Sequence, residues 1–199
     1  VYADINGDGT YEVVAVDQKE KVKVYNNENQ LVYVSNRDFG GSKTYLGPSV
    51  SGAVDETNRR NFTPDEDSSR ELIFVPGRLI ATDVDHDGRA EIIINENASS
   101  LLNFFKRLRV YRGGAVVGLI WDGEALKESW RTGNFRGYIA GYDFTSGTVQ
   151  QEDGKSASSM GRLYVAHQPQ SGTLAELLPG SGESDITVYD LEFSYNKSE

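Results

Sequence analysis

At 199 residues, 38% hydrophobic and 25% charged, the chain is long enough to bury one sizeable core and too apolar to stay unfolded throughout. Its net charge of −10 argues against a nucleic-acid partner, since phosphate backbones are held mainly by clustered cations. The absence of cysteine excludes disulfide scaffolds, thiolate metal sites and cysteine nucleophiles, and no apolar run approaches the roughly 20 residues a membrane-spanning helix needs.

The sequence opens on Val1 without a charged-then-apolar leader, so any signal peptide is expected to have been removed or to lie outside it. An Asp- and Gly-rich segment, Asp4 to Glu12, leads into the apolar run Val13 to Val16. Val22 to Tyr25 and Leu31 to Val34 read as strands joined by a turn at Asn26 to Asn29, being β-branched and aromatic between turn formers. The stretch from Gly40 to Arg70, with Gly40-Gly41, Pro48 and many charges, reads as a long irregular connection. A second Asp-rich segment, Asp83 to Glu91, precedes Ile92 to Ile94. Ser100 to Lys106 suits a short helix, and Arg109 to Tyr111, Val116 to Trp121 and Leu126 to Trp130 suit strands. Turns between these strands are expected at Gly113-Gly114 and at Asp122-Gly123, the latter a strong hairpin signal. Farther on, Gly137 to Asp143 and Gly161 to Ala166 read as strands around a polar stretch, Thr145 to Met160, that reads as a loop.

Setting Asp4 against Asp83 aligns Tyr2 to Val16 with Ala81 to Asn95, which is an internal repeat. An eroded third copy runs from Gly137 to Asp143 and resumes at Gly161. The division expected is repeat 1 over about 1–70, repeat 2 over about 71–132 and a degenerate repeat 3 over about 133–199.

The two Asp-rich segments have the donor spacing of a Ca²⁺ loop. Ca²⁺ is a hard cation that takes six to eight oxygens, and alternate residues of a compact loop can supply them. In the first, Asp4, Asn6 and Asp8 stand at positions 1, 3 and 5, Gly9 allows the sharp turn, Thr10 offers its carbonyl and Glu12 closes the loop. In the second, Asp83, Asp85, Asp87, Gly88, the Arg89 carbonyl and Glu91 repeat that order. A helix–loop–helix calcium site requires a further acidic ligand at position 12, where Ala15 and Ile94 stand inside apolar runs, so both loops are expected between β-strands. In the third copy Thr145 and Gly147 replace the ligands after Asp143, and no tight site is expected there.

The strand, D-x-[DN]-x-D-G-x-x-E, strand units resemble FG-GAP or VCBS repeats, the calcium-loop blades of integrin-α-like propellers, over most of Val1 to Thr132. The resemblance implies an all-β fold of antiparallel four-stranded propeller blades, a loop joining neighbouring strands of one blade, and two Ca²⁺ ions that brace the hairpins. About three repeats form only a partial propeller, because closed rings use 4 to 8 blades. Further blades are expected in a longer parent chain or a partner, with an open or non-propeller arrangement as the alternative.

Little points to catalysis. His86 sits at position 4 of the second loop and His167 closes a strand, neither with a nucleophile or carboxylate beside it in sequence. No phosphate loop, dinucleotide fingerprint or G-x-S-x-G elbow occurs. Trp121, Trp130, Tyr138 and Tyr142 are expected to pack between blades, a sugar-binding face being the alternative. The function expected is a non-enzymatic calcium-binding module for protein or surface-glycan binding, with no nucleic acid and no membrane span. An extracellular, cell-surface or periplasmic location agrees with weak Ca²⁺ affinities being sufficient there. The alternatives are the propeller of a polysaccharide lyase or hydrolase, which needs Lys, Tyr, His or Arg converging on the central channel, and a subunit of a larger surface assembly.

Overall fold

The computed structural model describes residues 1–47, 73–99, 109–152, 156–169 and 183–195. Those residues are all-β, with strands paired antiparallel and no helix among them. None of their elements is therefore a helix long and apolar enough to cross a membrane. They form no closed ring of sheets. The expected helix at Ser100 to Lys106 and most of the Gly40 to Arg70 stretch lie outside the described residues.

The first sheet is a meander of β1 (Tyr2–Ala3), β2 (Glu12–Val16), β3 (Val22–Tyr25) and β4 (Leu31–Val34). A small ribbon pairs β5 (Tyr45–Leu46) with β6 (Ile73–Phe74). The second sheet runs through β7 (Ile80–Thr82), β8 (Glu91–Ser99), β9 (Tyr111–Trp121) and β10 (Leu126–Arg131), and β11 (Phe135–Arg136) pairs with the start of β9. The third sheet holds β12 (Tyr138–Glu152), β13 (Ser156–Gln168) and β14 (Asp185–Tyr195). It has three strands among the described residues where four are expected of a blade.

These sheets stack, and the second lies between the other two. Successive strand residues face opposite sides, so Ile92 and Ile94 enter one core and Ile93 enters the other. The first core joins them to Val14, Val22 and Val24 of the first sheet; the second joins Ile93 and Val116 to Ile139, Leu163 and Val165 of the third. An unbroken apolar run is what a strand buried on both faces demands. At the edge of this stack Asn97 of β8 ties three segments together: its Nδ2 donates to the carbonyls of Gly41 (2.8 Å) and Ile139 (3.0 Å), and its Oδ1 accepts from Ile139 N (3.0 Å). Arg37, beyond β4, bridges to Glu96 and Glu128 of the second sheet at 2.5 and 2.7 Å. The Arg131 and Arg37 guanidiniums hold the Glu128 carboxyl down at about 2.

Two expectations about turns are corrected. Gly113-Gly114 lies inside β9, because a Cβ at Gly114 would collide with Asn97 Oδ1 and one at Gly113 would crowd the Phe135 carbonyl. Glycine is needed there for close approach, not for a reversal. Of the stretch Thr145 to Met160, Thr145 to Glu152 lie on β12 and Ser156 to Met160 on β13, paired antiparallel with a register shift between Ser146 and Val149, since antiparallel pairing satisfies a polar strand's backbone as well as an apolar one's; residues 153–155 lie outside the described residues. The turn at Asp122-Gly123 is present, with Asp122 N donating to Ala125 O (3.1 Å) and Gly123 at φ 102°.

Ile93 has no solvent exposure and faces the third sheet, so Ile93→Ala is expected to cost about 2–5 kcal/mol in a urea melt. A loss under about 1 kcal/mol would mean that the second and third sheets do not share a core.

Candidate metal centre

Each Asp-rich loop joins the first two strands of a sheet: residues 4–11 link β1 to β2, and residues 83–90 link β7 to β8. An apolar residue at position 2 roots each loop. Ile5 is sunk in the first core and Val84 in the second, leaving the polar residues around them to close over the top.

The two loops then share four hydrogen bonds at equivalent positions. The position-1 carboxylate accepts from the glycine at position 6: Gly9 N to Asp4 Oδ2 (2.8 Å), and Gly88 N to Asp83 Oδ2 (3.0 Å). The position-3 side chain accepts from position 5: Asp8 N to Asn6 Oδ1 (2.8 Å), and Asp87 N to Asp85 Oδ1 (3.1 Å). The position-5 carboxylate accepts from position 7: Thr10 N to Asp8 Oδ1 (2.7 Å), and Arg89 N to Asp87 Oδ1 (2.8 Å). The closing glutamate accepts from position 2: Ile5 N to Glu12 Oε2 (3.2 Å), and Val84 N to Glu91 Oε2 (2.7 Å). Backbone handedness repeats as well. Gly7 and His86 at position 4, and Gly9 and Gly88 at position 6, all have φ between 60° and 94°. That is why glycine fills three of the four places; His86 accepts the left-handed conformation at a cost of roughly 1–2 kcal/mol.

They differ in charge. In the second loop the ligand oxygens of Asp83, Asp85, Asp87 and Glu91 all lie within 4.8 Å of one another, and among the described residues no other acidic group converges in this way. An all-oxygen donor set of this kind can hold a hard cation. In the first loop the Asn6 amide spans the equivalent gap, donating to Asp8 Oδ2 and to Glu12 Oε1 at 3.1 Å each. Thr10 adds a hydroxyl bond to Asp8 Oδ1 (2.7 Å). Arg89 brings more than a carbonyl, for its guanidinium grips Asp87 Oδ2 at 2.5 Å.

Burial makes the second loop costly without a counter-ion. Glu91 is 5% exposed; desolvation first, then the charges of Asp85 and Asp83, push its carboxyl up to about 7. Asp85 is raised too, by burial and by Asp87.

The loops also touch, which no local pattern in the sequence reveals. Ala90 N donates to the Asp4 carbonyl (2.8 Å), and the Arg89 side chain lies where a Cβ on Gly7 would stand. The rooting role of Ile5 and Val84 is likewise absent from the sequence reading, though an apolar residue flanked by ligand positions in both copies is a signal for it. The remaining candidates lie elsewhere. Asp143 sits on β12 in an ion pair with Arg78 (3.1 Å). His167 packs against Phe135 with ring centroids 4.7 Å apart, and its Nε2 lies 3.4 Å from the Thr187 hydroxyl. Tyr138 stacks on Tyr111, and Tyr142 donates to the Arg78 carbonyl.

Glu91 sets a pH dependence for the metal-free protein. Between about pH 4.5 and 7 the folded state retains a proton that the unfolded chain has lost, so this group's contribution to stability falls as pH rises, by roughly 3 kcal/mol at most. In EGTA, Glu91→Gln is expected to flatten that fall and to be the more stable protein at pH 8, as read by urea melts from about pH 5 to 8. Parallel pH profiles would remove Glu91 as the cause.

No family model matches the chain, and neither a curated protein nor a solved structure matches it.

Proposed function

We propose that the chain is a calcium-binding, non-enzymatic module of propeller-type sheets, in which Ca²⁺ braces the β1–β2 and β7–β8 hairpins and the surface between them binds a protein or a glycan. The observation that carries this reading is the convergence of Asp83, Asp85, Asp87 and Glu91 within one loop. Those four would hold the ion at the second loop; Asp4, Asn6, Asp8 and Glu12, with the Thr10 carbonyl, would hold it at the first, and the Arg89 carbonyl would complete the second. What the cation supplies is charge neutralisation and a rigid hairpin, not a reaction.

Other features agree with binding rather than chemistry. Lys43, Tyr111, Arg109 and Tyr138 do gather near the ends of β9 and β12, as a lyase reading requires. Their chemistry, however, is occupied by the fold: the Tyr111 phenol is buried and donates to the Ser42 carbonyl (3.2 Å), Tyr138 accepts from Lys43 N (3.0 Å), and Arg109 pairs with Glu20. Burial pushes both phenols above their ordinary range, which makes them poor bases at neutral pH.

The outer face of the first sheet leaves Tyr2, Leu31 and Val34 exposed, which favours a further blade or a partner surface beside it. A location outside the cytosol, at the cell surface or in the periplasm, belongs to the same proposal, because sites with dissociation constants of about 10⁻⁴ to 10⁻³ M fill only there.

Thermal melts in EGTA, millimolar CaCl₂ and millimolar MgCl₂ test the metal directly. At about ten times its dissociation constant, Ca²⁺ should add about 1.4 kcal/mol per occupied site. The paired substitution Asp85→Ala and Asp87→Ala should remove the share due to the second loop. A calcium-independent melt, or the same gain in the double variant, would reject the bracing role.

A further inference from the structure

We propose that the groove between the second and third sheets, beside the β7–β8 loop, is a binding site for a neutral saccharide. This rests on the glycan half of the function proposed above and narrows it to one place and one ligand class. The groove has a volume of about 380 Å³ and is lined by Trp121, Trp130 and Phe193, by Ser129 and Glu192, and along one side by Asp85, Asp87 and Glu91 of the candidate metal loop. That size and mixture suit a small ligand.

The placement of Trp130 is the main argument. Along β10, Leu126 pairs with Trp121 and Glu128 with Leu119, positions that face the first core. Continuing the alternation would aim Trp130 the same way. A bulge between Glu128 and Trp130 shifts the register, so that Trp130 lies opposite Gly118 and faces the third sheet. Bulges re-aim side chains and gather at functional sites. Gly118 has no Cβ where the indole lies, and a Cβ there would collide with it. Phe193 braces the ring from the third sheet at 6.1 Å between centroids. The indole Nε1 is buried with no hydrogen-bond acceptor, although buried indoles ordinarily find one. This is an aromatic side chain that the strand turns, at a cost in regular pairing, towards a groove that the sheets leave open.

Charge narrows the ligand. Arg89 is held by Asp87, and Arg131, also in the lining, by Glu96 and Glu128, so neither guanidinium is free for an anion. The carboxylates of Asp85, Asp87 and Glu91 are the ligands of the cation proposed for the loop, which leaves the organic ligand an indole face and, at its edge, Ser129 and Glu192, both exposed. A pyranose ring suits both, with C–H groups on its face and hydroxyls that donate and accept around its rim.

The protein reports on this site by itself, because its only two tryptophans line the groove. The full chain should be titrated with glucose, galactose, mannose, N-acetylglucosamine and their short neutral oligomers, in EGTA and in CaCl₂, following tryptophan fluorescence. A saturable change with at least one sugar is expected. It should weaken at least tenfold in Ser129→Tyr, which fills the groove from an exposed position and should leave the melt unchanged, and at least tenfold in Trp130→Phe. No saturable change with any of these sugars overturns the proposal, as does an undiminished response in Ser129→Tyr. A response to spermidine alone also overturns it and assigns an amine site. Sugar binding in a protein whose melt ignores calcium supports the groove while refuting the metal reading.

Discussion

The structure depends on β8 being buried from both sides. Ile92 and Ile94 are closed over by the first sheet and Ile93 by the third, and none of the three retains solvent exposure. At about 25 cal/mol per Å² of apolar surface removed from water, such a strand contributes to two cores at once, and neither outer sheet has a substitute for it. The two Asp-rich loops, the Asn97 clamp and the Arg37 bridges are all positioned relative to this strand or to the strands that flank it.

In the second loop that burial sets packing against charge. Rooting Val84 in the second core brings its N–H down onto the Glu91 carboxylate, which is buried there. Three aspartates are then arrayed above it by the turn's own hydrogen bonds. Each aspartate is individually useful to the backbone, as such residues are in ordinary turns. Collectively they repel, and the raised Asp85 and Glu91 carboxyls register that repulsion and burial. The first loop relieves the same conflict with Asn6, whose amide donates to both neighbouring carboxylates. The Asn-for-Asp difference at position 3 therefore removes one carboxylate from the first loop, whereas the second keeps four and pairs one of them, Asp87, with Arg89.

Much of this is legible in the sequence because it is written in local patterns. Strands β2, β3, β4, β8 and β10 arise from apolar, β-branched and aromatic runs, and the repeated loop from alternate acidic residues. The errors have a common origin. Gly113-Gly114 looks like a turn because glycine permits reversals, yet here it admits Asn97 and β11, and that need arises only from residues distant in sequence. Thr145 to Met160 looks like a loop because it lacks an apolar face, but its described residues pair strand to strand, which satisfies their backbone. The bulge that turns Trp130, and the contact of Arg89 with Gly7, are likewise products of sheets meeting and leave no periodic trace.

The contact between the loops bears on how a cation would act. Arg89 belongs to the second loop by its bonds to Asp87 and lies against Gly7 of the first, while Ala90 N is held by the Asp4 carbonyl. An ion drawn to Asp87 competes with the Arg89 guanidinium for the same carboxylate oxygen. Loosening that guanidinium frees the side chain that packs on the first loop and that also lines the tryptophan groove. A cation at the second loop would thus bear on the first loop and on the groove through a single arginine, by contacts rather than over a distance.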